Sequence, residues 1–193
     1  MPAGAGLNAT GSFYSRTLDA LSYPMVANVT PVTLTNPTTA TDLMTFTFPL
    51  NPSGNGSMLN GIGHGFVMLA AGNYNLAASS TLVFTIKLGT VTIASFTTAS
   101  QTNTSVTLNW QLELTTISVG LGSSGTVEAH GKLFMDSGAT LPAAASVFLD
   151  SVTAVSSAID LTQPLLLEVM ANLGTGNSSS TVSQRMLQLV VLQ

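Results

Sequence analysis

Few residues in this chain of 193 can move a proton or hold a metal. His64 and His130 are the two side chains that titrate near neutral pH as ordinary bases. His64 lies in GIGHG, a run dense in glycine. It is no phosphate loop, because no Lys-Ser or Lys-Thr follows at the required spacing, and no GxGxxG opens a helix. His130 stands between Glu128 and Lys132 at i±2. In an extended strand all three share one side, which gives a polar sheet face or subunit contact. A metal site would need more ligands than that neighbourhood supplies. Glu113 and Glu128 are the one carboxylate pair that glycosidase chemistry could use, with one as general acid and the other as base or nucleophile. A plainer use of Glu113 is a cross-strand pair with Lys87 or Lys132, worth about 0.2–1 kcal/mol. Asp150 and Asp160 fall in or beside turns, a common structural use of Asp. Serine is frequent but has no GxSxG elbow around it, and cysteine is absent, so neither disulfides nor thiolate-bound metals are available. The expectation is a non-enzymatic protein with no catalytic, cofactor-binding or metal-ligating residues.

The elements that would position these groups centre on Thr81–Met135. Three segments there alternate apolar and polar residues at period two, as half-buried antiparallel strands require. Leu82, Phe84, Ile86 and Leu88 share one face; Leu108, Trp110, Leu112 and Leu114 share another; Val127, Ala129, Leu133 and Met135 a third. Lys87, Glu113, Glu128 and Lys132 then read as one polar sheet face. The one Trp has the phase of a core residue, which leaves Tyr14, Tyr23 and Tyr74 as aromatic platforms. Gly89-Thr90 reads as a tight hairpin. From Ile117 the apolar phase moves to odd positions, and the doubled Thr115-Thr116 at the change predicts a β-bulge.

Only 6% of residues are charged, and the net charge is −4. The four basic residues, Arg16, Lys87, Lys132 and Arg185, are dispersed, so no patch exists to neutralise phosphates and nucleic acid is not an expected partner. The apolar runs around 65–71 and 187–192 are far too short to span a bilayer as helices, so no membrane partner is expected. The opening MPAGAG lacks the charged and apolar regions of a secretory signal, so none is expected.

Residues 1–40 read as an extended N-terminal arm broken by Pro24, Pro31 and Pro37. Its apolar and aromatic residues Tyr14, Leu18, Leu21, Tyr23, Val29, Val32 and Leu34 are the candidate interaction residues. They serve either a neighbouring subunit or, as an N-terminal strand, the chain's own domain. Residues 41–193 form the domain, with strands near 43–50, 63–71, 81–88, 91–97, 107–119, 125–135, 146–150, 165–173 and 182–192. GNYNLAASS is read as a turn region. Eight or nine strands with little helix predict an all-β, antiparallel two-sheet β-sandwich of jelly-roll type.

The order of these pieces resembles a family of tailed-bacteriophage virion structural proteins. The resemblance rests on TNPTTATDLMTFTFPLNP, then TLVFTIKLGTVTIASF, then NWQLELTTISVGLGSSGTVEAHGKLFM, an AIDLT segment and a final LQLVVLQ. It spans Thr35 to Gln193 and leaves most of the arm outside. It implies a virion part made in the host cytoplasm. For a small, charge-poor domain without a stalk, the expected role is capsid decoration: a cement protein, guessed to be a trimer, that bridges major capsid protein subunits. The alternative is a tail-fibre or receptor-binding domain that recognises a host surface glycan.

Overall fold

Eleven strands form two antiparallel sheets in the computed structural model, which describes residues 26–28, 30–52, 54–76, 80–98, 107–136, 147–153, 156–174 and 179–192. In chain order they are β1 (Val26–Asn28), β2 (Val32–Thr35), β3 (Thr41–Phe48), β4 (Gly65–Asn75), β5 (Leu82–Leu88), β6 (Val91–Thr97), β7 (Leu108–Gly120), β8 (Thr126–Met135), β9 (Val147–Thr153), β10 (Leu165–Leu173) and β11 (Thr181–Leu192). The larger sheet runs β1-β11-β4-β7-β8-β9, with β2 also paired to β11, and the smaller runs β3-β10-β5-β6.

The connectivity is that of a jelly roll. A long antiparallel ribbon pairs β2 with β11, β3 with β10, β4 with β7 and β5 with β6. Rolling that ribbon up brings β11 beside β4 in one sheet and β10 beside β5 in the other. Two strands, β8 and β9, are inserted between β7 and β10 and widen the larger sheet. The β-sandwich expected from the alternation is therefore present, and all nine strands read from 41–193 are found. The two further strands come from the segment read as an arm. β1 and β2 lie along β11, and the chain is tied onward where Asn36 N donates to Ser180 O at 2.9 Å and Leu173 N donates to Pro37 O at 2.7 Å. The described residues 26–28 and 32–35 thus pair with the chain's own sheet.

The core is made of the predicted faces. Leu82, Phe84, Ile86 and Leu88 of β5 face Trp110, Leu112 and Leu114 of β7 across the sandwich, all buried. Phe84 and Trp110 rings stand 4.8 Å apart, and Trp110 Nε1 donates to Ser183 O at 3.0 Å, so the indole is packed and its one donor satisfied. Gly131 of β8 also points inward. A Cβ there would sit 2.7 Å from the Phe96 ring, so the missing side chain is what admits that ring from β6. Gly89, at φ 61°, turns the β5–β6 hairpin as its sequence implied.

Two local expectations are corrected. No bulge occurs at Thr115-Thr116: β4 and β7 pair without a break from Gly65↔Ile117 to Tyr74↔Leu108, and even positions of β7 stay buried through Ser118. The strand keeps its phase and exchanges the polarity of its faces instead. Thr116 is inside because Phe66 N donates to its Oγ1 at 3.2 Å, and Ser118 is inside because its Oγ donates to Leu59 O at 2.6 Å. Strand β4, in turn, runs on through Asn75, so Gly72-Asn73-Tyr74-Asn75 is sheet, not turn. Its glycine fits the ladder: a Cβ on Gly72 would lie 1.9 Å from Ser183 O, where β11 is irregular between Gln184 and Met186.

Candidate functional site

The outward face of the larger sheet carries the features that stand out, one at each end. At one end a polar row crosses the strands. Arg185 Nε donates to Asn73 Oδ1 at 3.1 Å, Asn73 Nδ2 donates to Asn109 Oδ1 at 2.7 Å, and Asn109 Nδ2 donates to Asp136 Oδ2 at 2.9 Å. Every bond in this chain runs from the guanidinium towards the carboxylate, so each amide has one orientation. Its backbone is held from beneath. Tyr74, 1% exposed, donates its hydroxyl to the Asp136 carbonyl, and Trp110 holds the Ser183 carbonyl. Burial, with the Asp136 charge adding to it, pushes the Tyr74 phenol up to about 12. Beside the row lies an open trough of about 470 Å³, floored by Ala71 and Gly72 and walled by Gln111 and Phe134. It exists because Ala71 puts a single methyl between the longer side chains of Met186 and Gln111, its partners on either side.

At the other end the same face carries exposed aliphatic side chains, with Glu128 opposite Ile117. Ile117 and Val119 of β7 are 38% and 39% exposed, beside Val67 of β4 at 39%. Leu121 and Ile62 continue the patch into the loops at 48% and 65%. Loop and strand are joined there, since Gly63 N donates to Ser118 O at 2.9 Å and Gly122 N donates to Asn60 Oδ1 at 3.0 Å.

The residues considered for chemistry are placed as follows. His64 Nδ1 lies 3.1 Å from the Met58 carbonyl, the geometry of an Nδ1–H donor that pins the 57–64 loop. His130 stands opposite Thr115 on the outer face. Glu113 is directly opposite Lys132 and accepts from Gln111 Nε2 at 3.0 Å. Glu128 is four residues from Lys132 along β8, so the two glutamates are roughly 13 Å apart along the sheet, beyond the ~5–9.5 Å that glycoside hydrolysis uses. Lys87 does not share a face with them: it lies on the smaller sheet opposite Glu168. The single polar face expected of Lys87, Glu113, Glu128 and Lys132 is thus two faces on two sheets. Asp160 does serve a turn, accepting from Thr162 N at 3.0 Å, whereas Asp150 lies within β9 opposite Lys132 and not at a turn. Tyr74 is no exposed platform but a core residue of β4. Among the described residues, no group of three His, Asp or Glu comes together as a metal site.

Of the candidate interaction residues, Val32 and Leu34 belong to β2, half-buried, with Leu34 packed on the core. Tyr14, Leu18, Leu21, Tyr23 and Val29 lie outside the described residues. The alternation did put Asn109 and Gln111 on an outward face. It had no means of joining Asn109 to Asn73, Asp136 and Arg185, which are 36, 27 and more than 70 positions away and meet only across strands.

No known protein-family model matches the chain, and no curated protein matches it. The likeness to phage virion proteins therefore stands on the order of its strand motifs alone.

Proposed function

We propose that the protein is a non-enzymatic structural component of a tailed-phage virion, acting as a capsid decoration protein that binds the assembled shell. The observation that carries this reading is the exposed apolar patch of Ile62, Val67, Ile117, Val119 and Leu121. Exposed aliphatic side chains gathered at one end of a sheet face suit a surface that another protein covers. The low charge, 6% of residues, supports it by allowing close packing against a shell with little repulsion. Each copy would bury the patch against major capsid protein subunits and stabilise the assembled state by binding it in preference to free subunits. Self-association, with a trimer as the guess, and a position on the capsid surface belong to the same proposal.

The test is co-sedimentation of purified protein with capsids that lack it. Ile117→Ser, Val119→Ser and Leu121→Ser together should reduce particle binding at least about tenfold while the fold is kept. Binding unchanged by all three would remove the patch from the proposal. Removal of residues 1–25 tests the arm separately. Removal of 1–40 would not, because it also strips β1 and β2 from β11.

A further inference from the structure

We infer that the polar trough at the Asn109 end of the larger sheet is a binding site for a neutral oligosaccharide. The inference is independent of particle binding, which uses the other end of the same face. The first argument is chemical. A sugar hydroxyl both donates and accepts, and planar amide, carboxylate and guanidinium groups offer it paired donors and acceptors at fixed spacing. The row Arg185–Asn73–Asn109–Asp136 supplies those groups in a line. Its internal bonds use Arg185 Nε, one side-chain N–H of each Asn, and Oδ2 of Asp136, which accepts from both Asn109 Nδ2 and Asn109 N. The guanidinium Nη groups, the second amide N–H of each Asn, the second lone pair of each amide oxygen and Asp136 Oδ1 remain for a ligand.

The second argument is charge. The row begins at one cation and ends at one carboxylate, so it favours neither an anion nor a cation as a whole. That selects an uncharged polyhydroxylated ligand over an acidic glycan or a phosphate.

Shape gives the third. Ala71 and Gly72 keep the floor low, and Phe134 rises at one side with a half-buried ring. The C–H face of a pyranose can lie against such a ring while its hydroxyls reach the row. The row crosses three strand spacings, about 14 Å, the span of a short oligosaccharide. The site is also held in place before any ligand arrives, since Tyr74 and Trp110 anchor the backbone of Asp136 and Ser183 from inside.

The experiment is a titration of the full chain with maltotriose, cellotriose and mannotriose, together with a glycan microarray, followed by amide chemical shifts or calorimetry. At least one neutral glycan should bind with a Kd below about 1 mM. Asn109→Ala and Phe134→Ala should each weaken it at least about fivefold, consistent with loss of one hydrogen bond or one stacking face. Thr45→Ala, on the outer face of the smaller sheet, should leave it unchanged. Should Asn109→Ala fail to fold, Arg185→Ala carries the test, because Arg185 is exposed. No binding by any neutral glycan overturns the inference. So does binding that survives the trough variants, or binding confined to charged glycans and abolished by salt.

Discussion

The two halves of β7 present opposite chemistry on the same geometry. From Asn109 to Glu113 the outward residues are polar and the inward ones are Trp110, Leu112 and Leu114. From Thr116 to Val119 the inward residues are Thr116 and Ser118, and the outward ones are Ile117 and Val119. The first half packs the sandwich and presents the polar row. The second half spends its inward positions on hydroxyls that satisfy neighbouring backbone, and its apolar side chains face away from the chain. Hydroxyls that bond neighbouring backbone can stand inside in place of methyls, and under the proposed function a partner would cover the outward Ile117 and Val119.

Trp110→Ala should produce the largest effect. It removes the biggest buried side chain, its ring contact with Phe84 and its bond to Ser183 O. The expected loss is about 3–5 kcal/mol in urea denaturation, or failure to fold. A loss near zero would mean the polar half of β7 is not the centre of the core.

Ser118→Ala separates the structure from the reading by which a bulge turns Ser118 outward. Buried, with its Oγ on Leu59 O at 2.6 Å, it should cost about 0.5–1.5 kcal/mol for the lost bond, since Leu59 O keeps the bond from Gly61 N at 2.9 Å. On an outward face the same change would fall within about 0.5 kcal/mol of zero.

This is also where the sequence was least legible, for a physical reason. Alternation reports which residues are apolar, and it locates the core only while apolar means inward. Along β5, β8 and the first half of β7 that holds, so the sandwich and its Trp core could be read in advance. In the second half of β7 a hydroxyl that bonds backbone is as good inside as a methyl. The pattern then mimics a shift of phase. Tyr74 misled in the same way: flanked by Gly72, Asn73 and Asn75, it has turn-like company, yet a bond from its hydroxyl to the Asp136 carbonyl lets it be buried. The polar row was beyond reach because its four residues come from four places in the chain and are joined by β11–β4, β4–β7 and β7–β8 pairing.

Tyr74 gives a pH signature for the polar end. Its folded pKa, about 12, lies above the ordinary value of 10.0, so the unfolded chain loses the proton first. Stability from this group is therefore complete below about pH 10 and is lost as pH rises towards 12, by up to about 2–3 kcal/mol. Tyr74→Phe should lose about 1 kcal/mol at neutral pH from the missing bond. Relative to that variant, the native chain's advantage should shrink and reverse between pH 9 and 11.5 in denaturation curves. A difference that stays constant across that range would mean that the phenol is not buried.

The smallest expected effect on stability comes from the apolar end, and there the smallness is informative. Ile117→Ser and Val119→Ser remove side chains that are 38% and 39% exposed and lie outside the core cluster. Each should change unfolding free energy by no more than about 0.5 kcal/mol. If these side chains were held against the chain's own residues, their removal would cost about 1–3 kcal/mol, as for other partly buried aliphatics. The two measurements therefore have to be made on the same variants. A near-zero change in stability together with a loss of particle binding says that Ile117 and Val119 are held outward for a partner. A near-zero change in both says that β7 exchanged its faces solely to bury Thr116 and Ser118.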